Sequence, residues 1–355
     1  MQPSKVLSTF LDLVKIDSPS GEESLVAEFL ISRLDALGIK PSLDAAGNLY
    51  AYRPGLGEPV LINAHMGTVE PGRGIKPQIK DNEITSDGTT ILGADNKVAL
   101  ASILTALESA DPEKLRSLEI LFSVREETNG GINKFDFSQL KSRIGLVPDR
   151  ASPVGAIVLS SPGIVNMQLK ISGRSVHASK PETGINALNI AVAALNKTSW
   201  GRIDDQTTTN IGIISGGSAM NTVPGQVQLT GEIRSFSPEK LKEVLNQIKT
   251  VFSDTCGQNG AVLDFSDSIF CSAYTYEESD PAVAEAASAL KQCGLTPVYE
   301  KVFGASDANT LAANGIKAVV TGDGVENAHT VEEKVSVSSL DRLTEVILAY
   351  ITANR

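Results

Sequence analysis

Apolar positions at two different spacings divide this chain. Residues Met1 to Ile16 carry an apolar face broken by Asp12 and Lys15, the pattern of an amphipathic helix. Ser20-Gly21-Glu22-Glu23 then has the capping-box form, and Leu25, Val26, Phe29, Leu30, Leu34 and Leu37 recur at helical spacing until Gly38. Val60 to Ala64 reads as a buried strand ending at His65, and Leu118 to Val124 as another that stops just before Glu126-Glu127. Ile144 to Val147 repeats the arrangement ahead of Asp149, and Ala318 to Val320 is a further strand, followed by a Gly-rich loop reaching His329. Helical patterns at Lys97 to Glu108, Pro281 to Leu290 and Ser339 to Ile351 alternate with these strands, as an α/β sheet covered on both faces requires.

From about Ile164 the period shortens to two. Val165, Met167, Leu169 and Ile171 alternate with Asn166, Gln168 and Lys170, the mark of a half-exposed antiparallel strand. Strands near Asn210 to Ile214 and Val227 to Arg234, with helices at Asn186 to Asn196 and Pro238 to Phe252, predict a small α+β domain over 164–273. Segments of the first type resume after Tyr274, so this domain is read as an insertion into a main domain formed by 1–163 and 274–355. A chain of 355 residues is long enough for two cores.

Composition narrows the function. A formal charge of −11, with no Lys/Arg stripe interleaved with aromatics, argues against nucleic acid and anionic lipid as partners. No apolar run reaches membrane-spanning length. Cys256, Cys271 and Cys293 fit neither a zinc module nor a disulfide framework, and they read as small buried hydrophobes in a reducing compartment. The amphipathic start differs from a secretory leader, and the expected location is the cytoplasm.

Chemistry enters with the only three histidines, His65, His177 and His329, each at the end of an element. A lone histidine in such a place is more often structural than a ligand. Here, however, carboxylates recur at neighbouring strand ends: Asp95, the pair Glu126-Glu127, and Asp149. Taken singly, each reads as a helix cap or a solvated charge. Ligands of doubly wound sheets gather outside the carboxyl ends of the strands, where these residues can converge. Carboxylate oxygens mixed with imidazole nitrogens suit zinc, with manganese or cobalt as substitutes.

The segments Asn63 to Val69, Ser86 to Lys97, Glu126-Glu127, Gly173 to Ala178 and Glu326 to Thr330, in that order, resemble the peptidase T-like tripeptidases, relatives of carboxypeptidase G and the aminoacylases among the dinuclear zinc exopeptidases. The likeness runs essentially end to end. It implies a zinc-exopeptidase-like mixed sheet flanked by helices, with the inserted domain as a lid and dimerisation domain. It implies two divalent ions, one held by His65 and Asp149, the other by Glu127 and His329, with Asp95 as bridge and Glu126 as general base. It further implies a cis Asp95–Asn96 peptide, His177 near the substrate carbonyl, Asn221 and Arg234 on the substrate carboxylate, and pairing of two copies through the insertion. The expected activity is release of N-terminal residues from short peptides. The loop Gly304 to Asn309 also matches and carries no assigned step.

One position departs from the family. Two residues after the first metal histidine the family has an Asp that orients a neighbouring group of the metal centre, and this chain has Gly67. Losing such a partner typically costs about 10 to 100-fold in metal affinity or activity. Three readings therefore stand: an enzyme in which another group replaces the Asp, a weakened enzyme, or a protein that binds peptides without cleaving them. Hydrolysis of N-acyl amino acids is a further alternative, because contacts to a carboxylate do not require a peptide.

Overall fold

The computed structural model describes residues 4–352. Contacts divide the chain into two units. One comprises the residues up to Leu159, Tyr276–Lys301 and Ser306 onward; the other comprises Ser160–Thr275 with Val302–Ala305.

The larger unit is built on a mixed sheet whose middle is four mutually parallel strands, in the order Arg116–Ser123, Leu56–His65, Ile144–Arg150 and Lys317–Gly322. Antiparallel strands flank them, Leu49–Arg53 on one side and Ala156–Ser161 on the other. Parallel strands need crossovers that cover the sheet, so their side chains are buried and their sequences read as unbroken apolar runs. The helix Ala94–Ser109 shows the same effect. It packs on the sheet and against the helices Lys5–Val14 and Val337–Ile351, and Val98 to Ala106 are buried all round. A second, small sheet joins Gln78–Lys80, Glu83–Thr85, Lys334–Ser336 and Val325–Glu326. Its strands are two or three residues long, too short to leave a periodicity in the sequence.

The capping-box expectation fails in an informative way. The helix Ser24–Ala36 begins after Glu23, which makes no side-chain capping bond. The Ser20 amide donates instead to the Thr68 carbonyl (3.0 Å), and the Glu23 carboxylate turns inward. Among the described residues no helix is long and apolar enough to cross a membrane.

The smaller unit is a five-stranded antiparallel sheet in the order Gly201–Asp204, Thr207–Gly216, Gln226–Ser235, Gly163–Ser172 and Val262–Cys271. The helices Ala187–Leu195 and Pro238–Gln258 cover one face. Met167, Leu169 and Ile171 meet Ile190, Ile248 and Phe252 there, while Asn166, Gln168 and Lys170 stay exposed, as the period-two pattern requires. Val302–Ala305 joins this unit because Val302 N donates to Ser160 O (3.1 Å) and Phe303 packs edge-on against Phe236. Phe252 is fully buried, so Phe252→Ala is expected to cost about 3–5 kcal/mol in urea unfolding. A loss below about 1 kcal/mol would mean that this core is looser than the burial indicates.

Candidate metal centre

The parallel strands end on polar side chains that point into one space. Leu56–His65 delivers His65, which is 2% exposed. Its Nδ1 lies 2.9 Å from the Gly67 carbonyl oxygen and donates to it, which leaves Nε2 facing Asp95 Oδ1 at 3.2 Å and Asp149 Oδ1 at 3.4 Å. Asp149 comes from the end of Ile144–Arg150, and Asn96 Nδ2 fixes it by donating to Oδ1 while also bonding the Pro148 carbonyl at 2.8 Å.

Asp95 sits where the chain enters the helix Ala94–Ser109, with non-helical backbone at Asp95 and Asn96 and a cis peptide between them, as the resemblance implies. Its second oxygen, Oδ2, lies 3.3 Å from His329 Nε2, and the same nitrogen lies 2.8 Å from Glu127 Oε1. One carboxylate thus faces both imidazoles.

Glu126 and Glu127 are neighbours, and on an extended strand they would point opposite ways. The chain avoids this by leaving Arg116–Ser123 through Arg125 in the left-handed conformation (φ 57°), after which Glu126–Asn129 forms a single helical turn. Gly131 is needed to close that turn, because a Cβ there would lie 2.2 Å from the Val124 carbonyl oxygen.

Among the described residues, three sets of side chains have donor atoms that lie, within each set, no more than 4.8 Å apart: His65, Asp95 and Asp149; Asp95, Glu127 and His329; and His65, Glu126 and Glu127. Further acids stand behind them. Glu333, 1% exposed, accepts from the amides of Gly93 (2.7 Å) and Asp95 (3.0 Å), and so holds the loop that presents Asp95. Asp307 accepts from Ser123 Oγ and from Asn63 Nδ2 (3.2 Å), and Asp323 accepts from the Val325 amide (2.9 Å).

Crowding leaves its mark on protonation. Burial, reinforced by Asp149, pushes the Glu126 carboxyl well above its ordinary range. Burial likewise pushes Asp307 up to about 6 and Glu333 up to about 7. Burial opposes the charge on Asp95 too, but hydrogen bonds from His329 and His65 outweigh it and hold that carboxyl below its usual value. Asp95 and Glu127 in turn push His329 up to about 10. Carboxylates outnumber imidazoles here, and an anionic cluster of hard oxygens with two imidazole nitrogens is a donor set that fits divalent cations.

The residues expected on the substrate side lie in the smaller unit. His177 and Asn221 are close neighbours: His177 bridges to Thr222, and the Asn221 carbonyl accepts from the Ala178 amide at 2.9 Å. His177 is exposed, with Nδ1 2.8 Å from Ser179 Oγ. Arg234 is not beside them. The ladder pairs Gln226 with Ser172 and Arg234 with Ile164, so Arg234 stands eight residues along the strand from the end nearest Asn221, roughly 26 Å at strand spacing. Its guanidinium is held by Glu232 Oε1 (2.7 Å) and the Phe303 carbonyl (2.9 Å).

Glu23, Glu333 and Asp323 are not marked as site residues by the sequence: Glu23 fits a capping pattern, and Glu333 and Asp323 carry no signal beyond nearness to His329.

Residues 159–259 match the peptidase dimerisation domain family. Over 98% of its length the chain is 32% identical to YqjE of Bacillus subtilis, of which it covers 97%. Aminopeptidase PepT from Bacillus cereus superposes with a TM-score of 0.89 at 34% identity, covering 98% of this chain and 97% of that one. A tripeptidase from Staphylococcus aureus superposes with a TM-score of 0.92 at 32% identity and the same coverage. The chain belongs to the peptidase T-like tripeptidase family of the M20 peptidases.

Proposed function

We propose that this protein is a dinuclear metal exopeptidase that removes the N-terminal residue from short peptides. The observation that carries the reading is Asp95, whose two oxygens face His65 and His329 at 3.2 and 3.3 Å. His65 and Asp149 would hold one ion, Glu127 and His329 the other, and Asp95 would bridge them; zinc suits the donors, with manganese or cobalt as substitutes. Bound there, the ions supply Lewis acidity toward the scissile carbonyl and lower the pKa of the attacking water. Glu126 takes the proton from that water on its carboxylate and returns it to the leaving amine nitrogen. Arg234, whose planar guanidinium is oriented by Glu232, is suited to a bidentate grip on the substrate carboxylate.

Within one chain Arg234 and His177 are far apart, which supports a homodimer formed through the smaller unit in which His177 and Asn221 of one copy serve the centre of the other. His177→Ala and Glu126→Gln are then each inactive alone, and mixing and refolding the two restores about a quarter of wild-type activity, the share expected from random pairing into two-fold dimers. Mixtures that stay inactive exclude the exchange.

Parallel assays on tripeptides and N-acyl amino acids with the zinc-loaded protein test the function itself. Release of free N-terminal residues from tripeptides is expected; tight peptide binding with no turnover under any divalent metal would leave a binding protein instead.

A further inference from the structure

The space beside Gly67 is filled by a buried carboxylate. A Cβ built on Gly67 would lie 2.9 Å from Glu23 Oε1 and 3.3 Å from Ser20 Oγ. The Gly67 backbone is not in the left-handed region, so its conformation does not bar a side chain. What bars it is the Glu23 carboxylate, on a residue 4% exposed. That oxygen is not free to swing aside, because it accepts from the amides of Gly21 and Arg125, both at 2.8 Å. No cationic side chain forms an ion pair with it among the described residues.

We infer that Glu23, seated in the space beside Gly67, is a positioning residue for Glu126 and Glu127. Arg125 is the left-handed residue that turns the chain so that both glutamates face the centre. A bond from its amide to a buried carboxylate fixes that turn. Orienting His65 falls to the Gly67 carbonyl, which accepts from Nδ1 and leaves Nε2 toward Asp95 and Asp149. Gly67 and Glu23 therefore form an exchange: the glycine makes room, and the glutamate fills it. Gly67→Asp would press a second carboxylate onto the first inside contact distance.

This inference rests on the metal-peptidase reading, and four proteins separate the two: wild type, Glu23→Ala, Gly67→Asp and the double variant. Calorimetric zinc titration, kcat and KM on a tripeptide, and Tm are read for each. Both single variants are expected to weaken zinc binding about 10 to 100-fold and to lower kcat more than they change KM. The double variant is expected to recover to within about 5-fold of wild type, a coupling typical of groups in contact. Glu23→Gln, whose amide oxygen can still accept both N–H bonds, is expected to stay close to wild type and so separates the bond from simple filling of space.

The inference is overturned if Gly67→Asp tightens zinc or raises kcat while Glu23 is present, if Glu23→Ala leaves every readout unchanged, or if the two losses add. Should wild type take up no zinc, the metal reading fails on its own. The exchange is then still read in Tm, where Gly67→Asp is destabilising and Glu23→Ala relieves the loss in the double variant; a Gly67→Asp protein as stable as wild type overturns it.

Discussion

Replacing Glu126 by glutamine is expected to lower kcat for a tripeptide by about 10²–10⁴-fold, the range that a positioned general base contributes. The substitution keeps the volume and removes the one function assigned to the side chain, carrying a proton from water to the leaving amine. His65, Asp95, Asp149, Glu127 and His329 remain, so bound metal is expected to match wild type. A variant that loses metal along with activity would make Glu126 a ligand with His65 and Glu127, a grouping that the geometry also permits. A fall of less than about 10-fold would remove Glu126 from proton transfer.

Asp95→Ala is the other large effect. Each donor set that includes Asp95 keeps only two side chains without it, His65 with Asp149 and Glu127 with His329. Two ligands are fewer than the three that catalytic zinc sites use, so both ions are expected to be lost together and turnover to fall to that of the chelated wild type. The backbone amide of residue 95 still bonds Glu333, so the loop keeps its anchor and the variant is expected to fold. Elemental analysis after gel filtration reads the result. Loss of one ion with retention of the other would show that Asp95 serves a single site.

The two periodicities of the chain carried its architecture well. Unbroken apolar runs such as Val60 to Ala64 marked the buried parallel strands because both of their faces are covered, and the alternation from Val165 to Ile171 marked a sheet with one face bare. The nearness of His65 and Asp149 was legible because both stand at the carboxyl ends of parallel strands, whereas Asp95 opens a helix, Glu127 lies in a single helical turn and His329 in a loop, places that no periodicity marks. Glu23 was not legible. Ser20-Gly21-Glu22-Glu23 satisfies a local capping rule, and only the folded chain brings Arg125 and Gly67, distant in sequence, onto the carboxylate that the rule would have spent locally. The separation of Arg234 from His177 was hidden for the same reason, because register along the antiparallel ladder, not nearness in sequence, sets it.

Anomalous scattering from a zinc-loaded crystal, recorded on both sides of the zinc absorption edge, tests the central claim most directly. Two peaks roughly 3.5–4 Å apart are expected, one beside His65 and Asp149 and one beside Glu127 and His329, with Asp95 between them. A single peak, two peaks that do not share Asp95, or no peak in a crystal grown with excess zinc would contradict the account.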